Sequence, residues 1–258
     1  MRLINSDVFG RVMQPASFED LIKKTVNGSL SPNSFTTRMW RGQGDIDWPI
    51  HSSAYRRISS PSEMGLASYE KRLLEQATHK GYRVLDGREL SDMELLARLQ
   101  HHGAATRLID TSKNMLVALW FCCISMPQKT GALIGVHTDH LGGYEGETDS
   151  RSYEEVIKDM EGVRYPLTWE PPSISSRVAA QHSQFLYSEV VDDKWGSLAL
   201  PKGDGETFIF GISPALKAKC LEILQEAFDI RHLTLFPDLD GFGQANSHEK
   251  NEFYNNRW

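Results

Sequence analysis

The chain has 258 residues, 40% of them hydrophobic and 24% charged, with a formal net charge of −6. That composition suits one large folded domain whose core needs neither disulfides nor metal. The mild negative charge argues against DNA binding through a positive whole-surface field, although Arg38, Arg41, Arg56, Arg57 and Arg107 would form a local basic groove if they converged. No apolar run of about 18 residues occurs, and Met1 to Asp7 lack the apolar stretch of a secretory signal. A cytoplasmic protein without a membrane span is expected.

Taken in chain order, Pro15 to Asn27 predicts a helix with an apolar stripe of Phe18, Leu21, Ile22 and Val26, stopped at Gly28. Ser34 to Trp40 predicts a strand that delivers Arg41. Ser62 to Lys80 predicts a helix ended by Gly81. Ser91 to His101 predicts another, with Ser91 and Glu94 at capping-box spacing, Leu95, Leu96 and Leu99 facing inward, and Gly103 as its stop. Lys113 to Met126 is strongly apolar and predicts a buried helix. Ala132 to His137 predicts a strand, Leu141 to Gly146 a flexible turn, Arg151 to Glu161 a surface helix, and Tyr165 to Ser176 a loop rich in Pro and Ser. Phe185 to Val190 and Thr207 to Ile212 predict strands. Ser213-Pro214 opens a helix with the stripe Leu216, Cys220, Leu221, Leu224 and Phe228, and His232 to Phe236 predicts a short strand. Helices and strands mix without regular alternation, which points to an α+β domain rather than a doubly wound sheet.

Three clusters carry candidate chemistry. In Trp40-Arg41-Gly42-Gln43, an arginine at a strand end can turn its fork into a cleft, where paired donors suit a diphosphate, and Gly42 permits close approach of a ligand or another backbone. The same residues also fit a surface turn with a salt-bridged arginine. The segment Gln100 to Ser112 packs polar residues between two apolar helices. There Arg107 and Asp110 are placed to pair, Asp110 or Thr111 to cap the next helix, and His101 and His102 to point about 100° apart on a helix, away from any common site. The third cluster, Gln181-His182-Ser183-Gln184 before Phe185, also reads as a plain strand entry. Cys122, Cys123 and Cys220 read as buried free thiols. No Cys/His spacing of a zinc site appears, and no metal is expected.

The ordered set resembles the FRG-domain family. Its Phe-Arg-Gly motif reads Trp40-Arg41-Gly42-Gln43 here, followed by Trp48, Pro49, Ser52, Ser53 and Arg56. Its second motif reads Gln100 to Asp110, with Ala105 where proline is usual and Ile109 where leucine is usual. Asn114 to Phe121, the pair Gln181 and Phe185, and Leu235 to Gly241 continue the pattern. The resemblance implies a helical lead-in over residues 1–34 and an FRG domain over 35–258. The Arg-Gly pair is similar to that of ADP-ribosyltransferases, which implies a split β-sheet core, NAD as substrate, and a toxin or antiphage effector that modifies RNA, DNA or protein, with an antitoxin as partner. On that resemblance Arg41, Asp110 and Gln181 are catalytic. Arg41, Gly42, Gln43, Ser52, Ser53, His101, Thr106 and Arg107 bind NAD or shape its cleft. The glutamate usual in such transferases has no counterpart here. Glu189 is a poor substitute, and a glutamine holds a hydroxyl but cannot act as a base. The alternatives are a non-catalytic module binding a nucleotide or nucleic acid, and an NAD glycohydrolase.

Overall fold

The computed structural model describes residues 2–27, 38–144, 146, 149–172, 175–203, 205–251 and 254. The chain opens on a hairpin, β1 (Arg2–Ser6) and β2 (Gly10–Gln14), so the expected helical lead-in begins as sheet. The helix α1 (Phe18–Asn27) follows, with the Ser17 hydroxyl accepting from the Asp20 amide. Val26 is exposed, which narrows its predicted stripe to Phe18, Leu21 and Ile22. The expected stop at Gly28 and the start of the Ser34–Trp40 strand lie outside the described residues; the strand itself, β3 (Arg38–Gln43), carries Arg41 within it.

Next come α2 (Ser53–Arg57) and α3 (Glu63–His79), the latter capped by Ser62. A two-residue hairpin, β4 (Val84–Leu85) with β5 (Arg88–Glu89), turns on Asp86 and Gly87. Both have positive φ, as a tight hairpin turn requires. The capping box at Ser91 and Glu94 starts α4 (Asp92–His101). Ile109–Ser112 forms β6, and Asn114 caps α5 (Met115–Ile124) through the Leu116 amide. That corrects the assignment of the cap to Asp110 or Thr111: strand pairing claims those two residues before the helix begins.

Then follow β7 (Gly131–His137), β8 (Gly142–Tyr144), α6 (Tyr153–Met160), β9 (Leu167–Trp169), α7 (Ser176–Ala180) and β10 (Ser183–Tyr187). Two of these strands fall in segments expected to be a turn and a loop, because β8 and β9 pair with each other in parallel. Strand β10 starts two residues earlier than expected and stops at Tyr187. The helix α6 buries Tyr153, Val156 and Met160 beneath its exposed face. The chain ends with β11 (Thr207–Ile212), α8 (Pro214–Phe228), α9 (His232–Leu235) and α10 (Leu239–Ala245). Helix α9 replaces the strand expected at His232 to Phe236, and Phe228 in α8 is exposed rather than inward.

The architecture is α+β. Among the described residues nine strands form one mixed sheet in the order β1-β2-β11-β7-β3-β6-β10-β9-β8. Two joints in it rest on single residue pairs: Met13 with Phe210 between β2 and β11, and Trp40 with Ser112 between β3 and β6. Helices α1, α5 and α8 cover one face, with Leu21, Trp120, Phe210 and Leu224 in its core. The opposite face packs Met39, Ile134, Val136 and Ile209 against Ile46, Ile50, Leu198 and Leu200. Around the β10–β9 end, α3, α4 and α6 bury Trp169, Tyr153 and Leu95.

Two contacts fix β3 in place. A Cβ on Gly42 would lie 1.8 Å from the Ala118 carbonyl oxygen, so only glycine lets β3 approach α5 this closely. Lys217 of α8, 1% exposed, donates to the carbonyls of Gly44 at 2.7 Å, Ser125 at 2.9 Å and Met126 at 3.0 Å. The last two follow the C-terminus of α5, where a helix leaves carbonyls unpaired and favours a cation.

Candidate functional site

The site lies at the thin joint between β3 and β6. Beyond the Trp40–Ser112 pair no further pairing joins these strands among the described residues. Asp110 thus has a carbonyl facing the gap, and Arg41 fills it, donating from Nη1 at 2.8 Å. The Nε of Arg41 is buried without a hydrogen-bond partner, a costly state that an incoming acceptor would relieve. The gap widens into a cavity of about 390 Å³, lined by Arg41, Gly42, Gln100, His101, Asp110 and Gln181 and walled by Trp40, Phe121, Phe185 and Phe236. That volume lies within the usual range for small-molecule sites, about 300–1,000 Å³.

A relay behind the cavity holds Asp110. Gln100 donates from Nε2 to its carboxylate at 2.8 Å. The Thr106 hydroxyl donates to the other end of the Gln100 amide. Thr106 in turn exchanges bonds with Ser53, whose hydroxyl donates to the Thr106 carbonyl at 3.1 Å and accepts from its amide at 3.0 Å. Asp110 is exposed to the cavity yet crowded by the protein around it. Burial pushes its carboxyl above the usual carboxylate range, while Arg41 and Gln100 pull it partly back. Burial also lowers the Arg41 guanidinium, with Asp110 opposing and Arg56 adding to the effect.

The three residues expected to be catalytic, Arg41, Asp110 and Gln181, line this one cavity, as do Gly42 and His101. The others stand behind it. Gln43 is buried and donates to the Trp48 carbonyl at 2.6 Å. Ser52 caps α2 by accepting from the Tyr55 amide. Ser53 and Thr106 form the relay.

Arg107 is a correction. It does not pair with Asp110 but donates to Glu70 at 2.7 Å, Glu63 at 3.0 Å and Tyr153 at 2.8 Å in a buried network away from the cavity. Nor do the five arginines make one groove. Arg38 stacks 3.8 Å over Phe208, Arg57 lies over Tyr69, and Arg56 donates to the His51 carbonyl. Glu189 accepts from the Gly162 amide and is not among the cavity's lining residues.

Sequence reasoning missed the wall made by Ser175 and Arg177. Arg177 is ion-paired with Asp238 and stacks 4.9 Å over Phe236. Its partners belong to the closing Leu235–Gly241 motif, and it lies one helical turn before Gln181. The cavity's end is polar as well: Gln181 donates from Nε2 to the Leu235 carbonyl at 2.9 Å.

Among the described residues no helix is long and apolar enough to cross a membrane. The three cysteines are free and buried. No curated protein and no solved structure matches the chain. The family model of the FRG domain matches residues 36–131, a stretch that contains Arg41, the relay and Asp110, while Gln181 and the Leu235–Gly241 segment lie beyond it. The chain carries an FRG domain.

Proposed function

We propose that the protein is an NAD-dependent ADP-ribosyltransferase acting on nucleic acid or protein, in the manner of a toxin or antiphage effector checked by an antitoxin. The observation that carries this reading is that half-buried Arg41, whose Nε lacks a hydrogen-bond partner, lines the same cavity as Asp110 and Gln181. A guanidinium so placed offers paired, charge-assisted donors to a pyrophosphate. The aromatic wall offers stacking faces for a base or a nicotinamide ring.

In the reaction, the bond between ribose C1′ and the nicotinamide nitrogen breaks, and its electron pair leaves with neutral nicotinamide. Positive charge builds on the ribose, and a carboxylate nearby stabilises it. The acceptor's lone pair then forms the new bond to C1′, and its proton passes to Asp110. A carboxyl raised by burial accepts that proton more readily than an ordinary aspartate. Among the described residues the cavity lining has no glutamate, which favours a second reading, a nucleotide-binding module without turnover.

Incubation with labelled NAD and total RNA, DNA or lysate is expected to transfer label. Arg41→Ala should abolish transfer, and Arg41→Lys should do nearly as much harm, because a point charge lacks the fork. Saturable NAD binding without nicotinamide release would establish the binding module instead. Free ADP-ribose with no labelled macromolecule would mark a glycohydrolase.

A further inference from the structure

The rim of the cavity holds a side-chain set that the reaction above does not use. On an unbroken helix His101 and His102 would diverge. Here α4 ends at His101, and His102 takes up the cap position at φ −91°, ψ 18°. The two rings come to 4.8 Å between centroids, 80° apart in plane. Asp240, in the first turn of α10, reaches the same spot from the other end of the chain. One ligand atom from each of His101, His102 and Asp240 lies within 4.8 Å of the other two.

We propose that His101, His102 and Asp240 form a divalent transition-metal site at the cavity rim, taking a borderline ion such as Zn²⁺. Two imidazoles and one carboxylate are a three-ligand set that leaves an open position, as in catalytic rather than closed structural zinc sites. Ligand bonds of about 2.0–2.1 Å put tetrahedral donors roughly 3.4 Å apart, so the present arrangement must close a little. His102 and Asp240 are exposed and so have room to do so, while His101 is partly buried. The Asp238 carboxylate lies 3.8 Å from Nε2 of His101, where an outer carboxylate orients a ligating imidazole. Asp238 also pairs with Arg177, which reduces that cation's repulsion of a bound ion. Because His101 lines the cavity, the ion's open position would lie beside the space that Arg41 faces. The ion would also tie α10 to the end of α4. This inference does not depend on the transferase reading: it concerns metal binding in the absence of any nucleotide.

The test uses the full chain after treatment with a chelator and dialysis. Titration with Zn²⁺ against a chromophoric competitor should show one ion bound at micromolar concentrations. Co²⁺ in its place should give visible absorption bands of four- or five-coordinate geometry. His102→Ala and Asp240→Ala, both at exposed positions, should each weaken binding by roughly tenfold or more, with circular dichroism unchanged. No stoichiometric binding at micromolar Zn²⁺ would overturn the proposal. So would binding equally tight in both variants, which would place the ion on other histidines or on the buried thiols.

Discussion

Arg41 and Asp110 are each placed against their own ionisation. The guanidinium is lowered by burial and the carboxyl is raised by it, and each only partly repairs the other. The consequence for stability has a definite sign. A carboxyl whose folded pKa is raised keeps its proton at pH values where the unfolded chain has lost its own. Folding then takes up a proton, so stability falls as pH rises from the ordinary aspartate value, about 3.9, through the folded one. Above that window the native state carries the whole cost of the charge. Asp110→Asn should therefore melt at a higher temperature than the parent at pH 8, with the advantage shrinking toward pH about 4. A variant less stable than the parent at pH 8, with the deficit closing as pH falls below about 4, would show that attraction to Arg41 outweighs burial. Such sites exchange stability for function. At this scale the sequence was informative where residues sit in a motif. Arg41, Asp110 and Gln181 were legible and meet in one cavity. Arg177 was not, because its partners Asp238 and Phe236 are some 60 residues away and no local pattern links them.

Among the elements, Gly42 decides how β3 meets α5. A Cβ there would lie 1.8 Å from the Ala118 oxygen and 2.6 Å from the Cys122 nitrogen, both backbone atoms of a packed helix. Neither can swing aside, so Gly42→Ala must push the strand off the helix. The expected cost is about 1–3 kcal/mol, the usual range for overpacking, read as a shift in the urea midpoint. A midpoint unchanged from the parent would mean that the two elements part easily. The long helices were legible because caps and periodicity agree: Ser91 and Ser213 cap where expected, and Ser62, expected as a first helical residue, caps its helix. Short elements were not. His-Leu-Thr-Leu-Phe alternates like a strand, yet Thr234 accepts from the Arg231 amide and the segment coils into a helical turn. Gly142–Tyr144 has too little side-chain pattern to announce a strand, and its pairing with Leu167–Trp169 is set by a partner distant in sequence.

For the molecule as a whole, the α+β class followed from the irregular order of helices and strands, but the continuity of the sheet did not. Single-pair joints such as Trp40–Ser112 are tertiary facts, and the cavity exists because one of them is so thin. The opening hairpin was hidden for a related reason: among the described residues β1 borders only β2, and β2 reaches the rest of the sheet through one pair with β11. Lys217 works against that looseness. Its ammonium gathers the segment after Arg41, the end of α5 and the C-terminal helix α8 on one point. Lys217→Met would leave three acceptors without that donor, at about 1–3 kcal/mol for a buried group so abandoned. Amide exchange should then quicken together in β3, around Ser125 and in α8; quickening in α8 alone would mean that the clasp is dispensable. A single proton-rich knot of this kind makes distant parts of the polypeptide succeed or fail as one. A chain cut short before α8 would thus reach its end with the arginine in hand and that clasp missing.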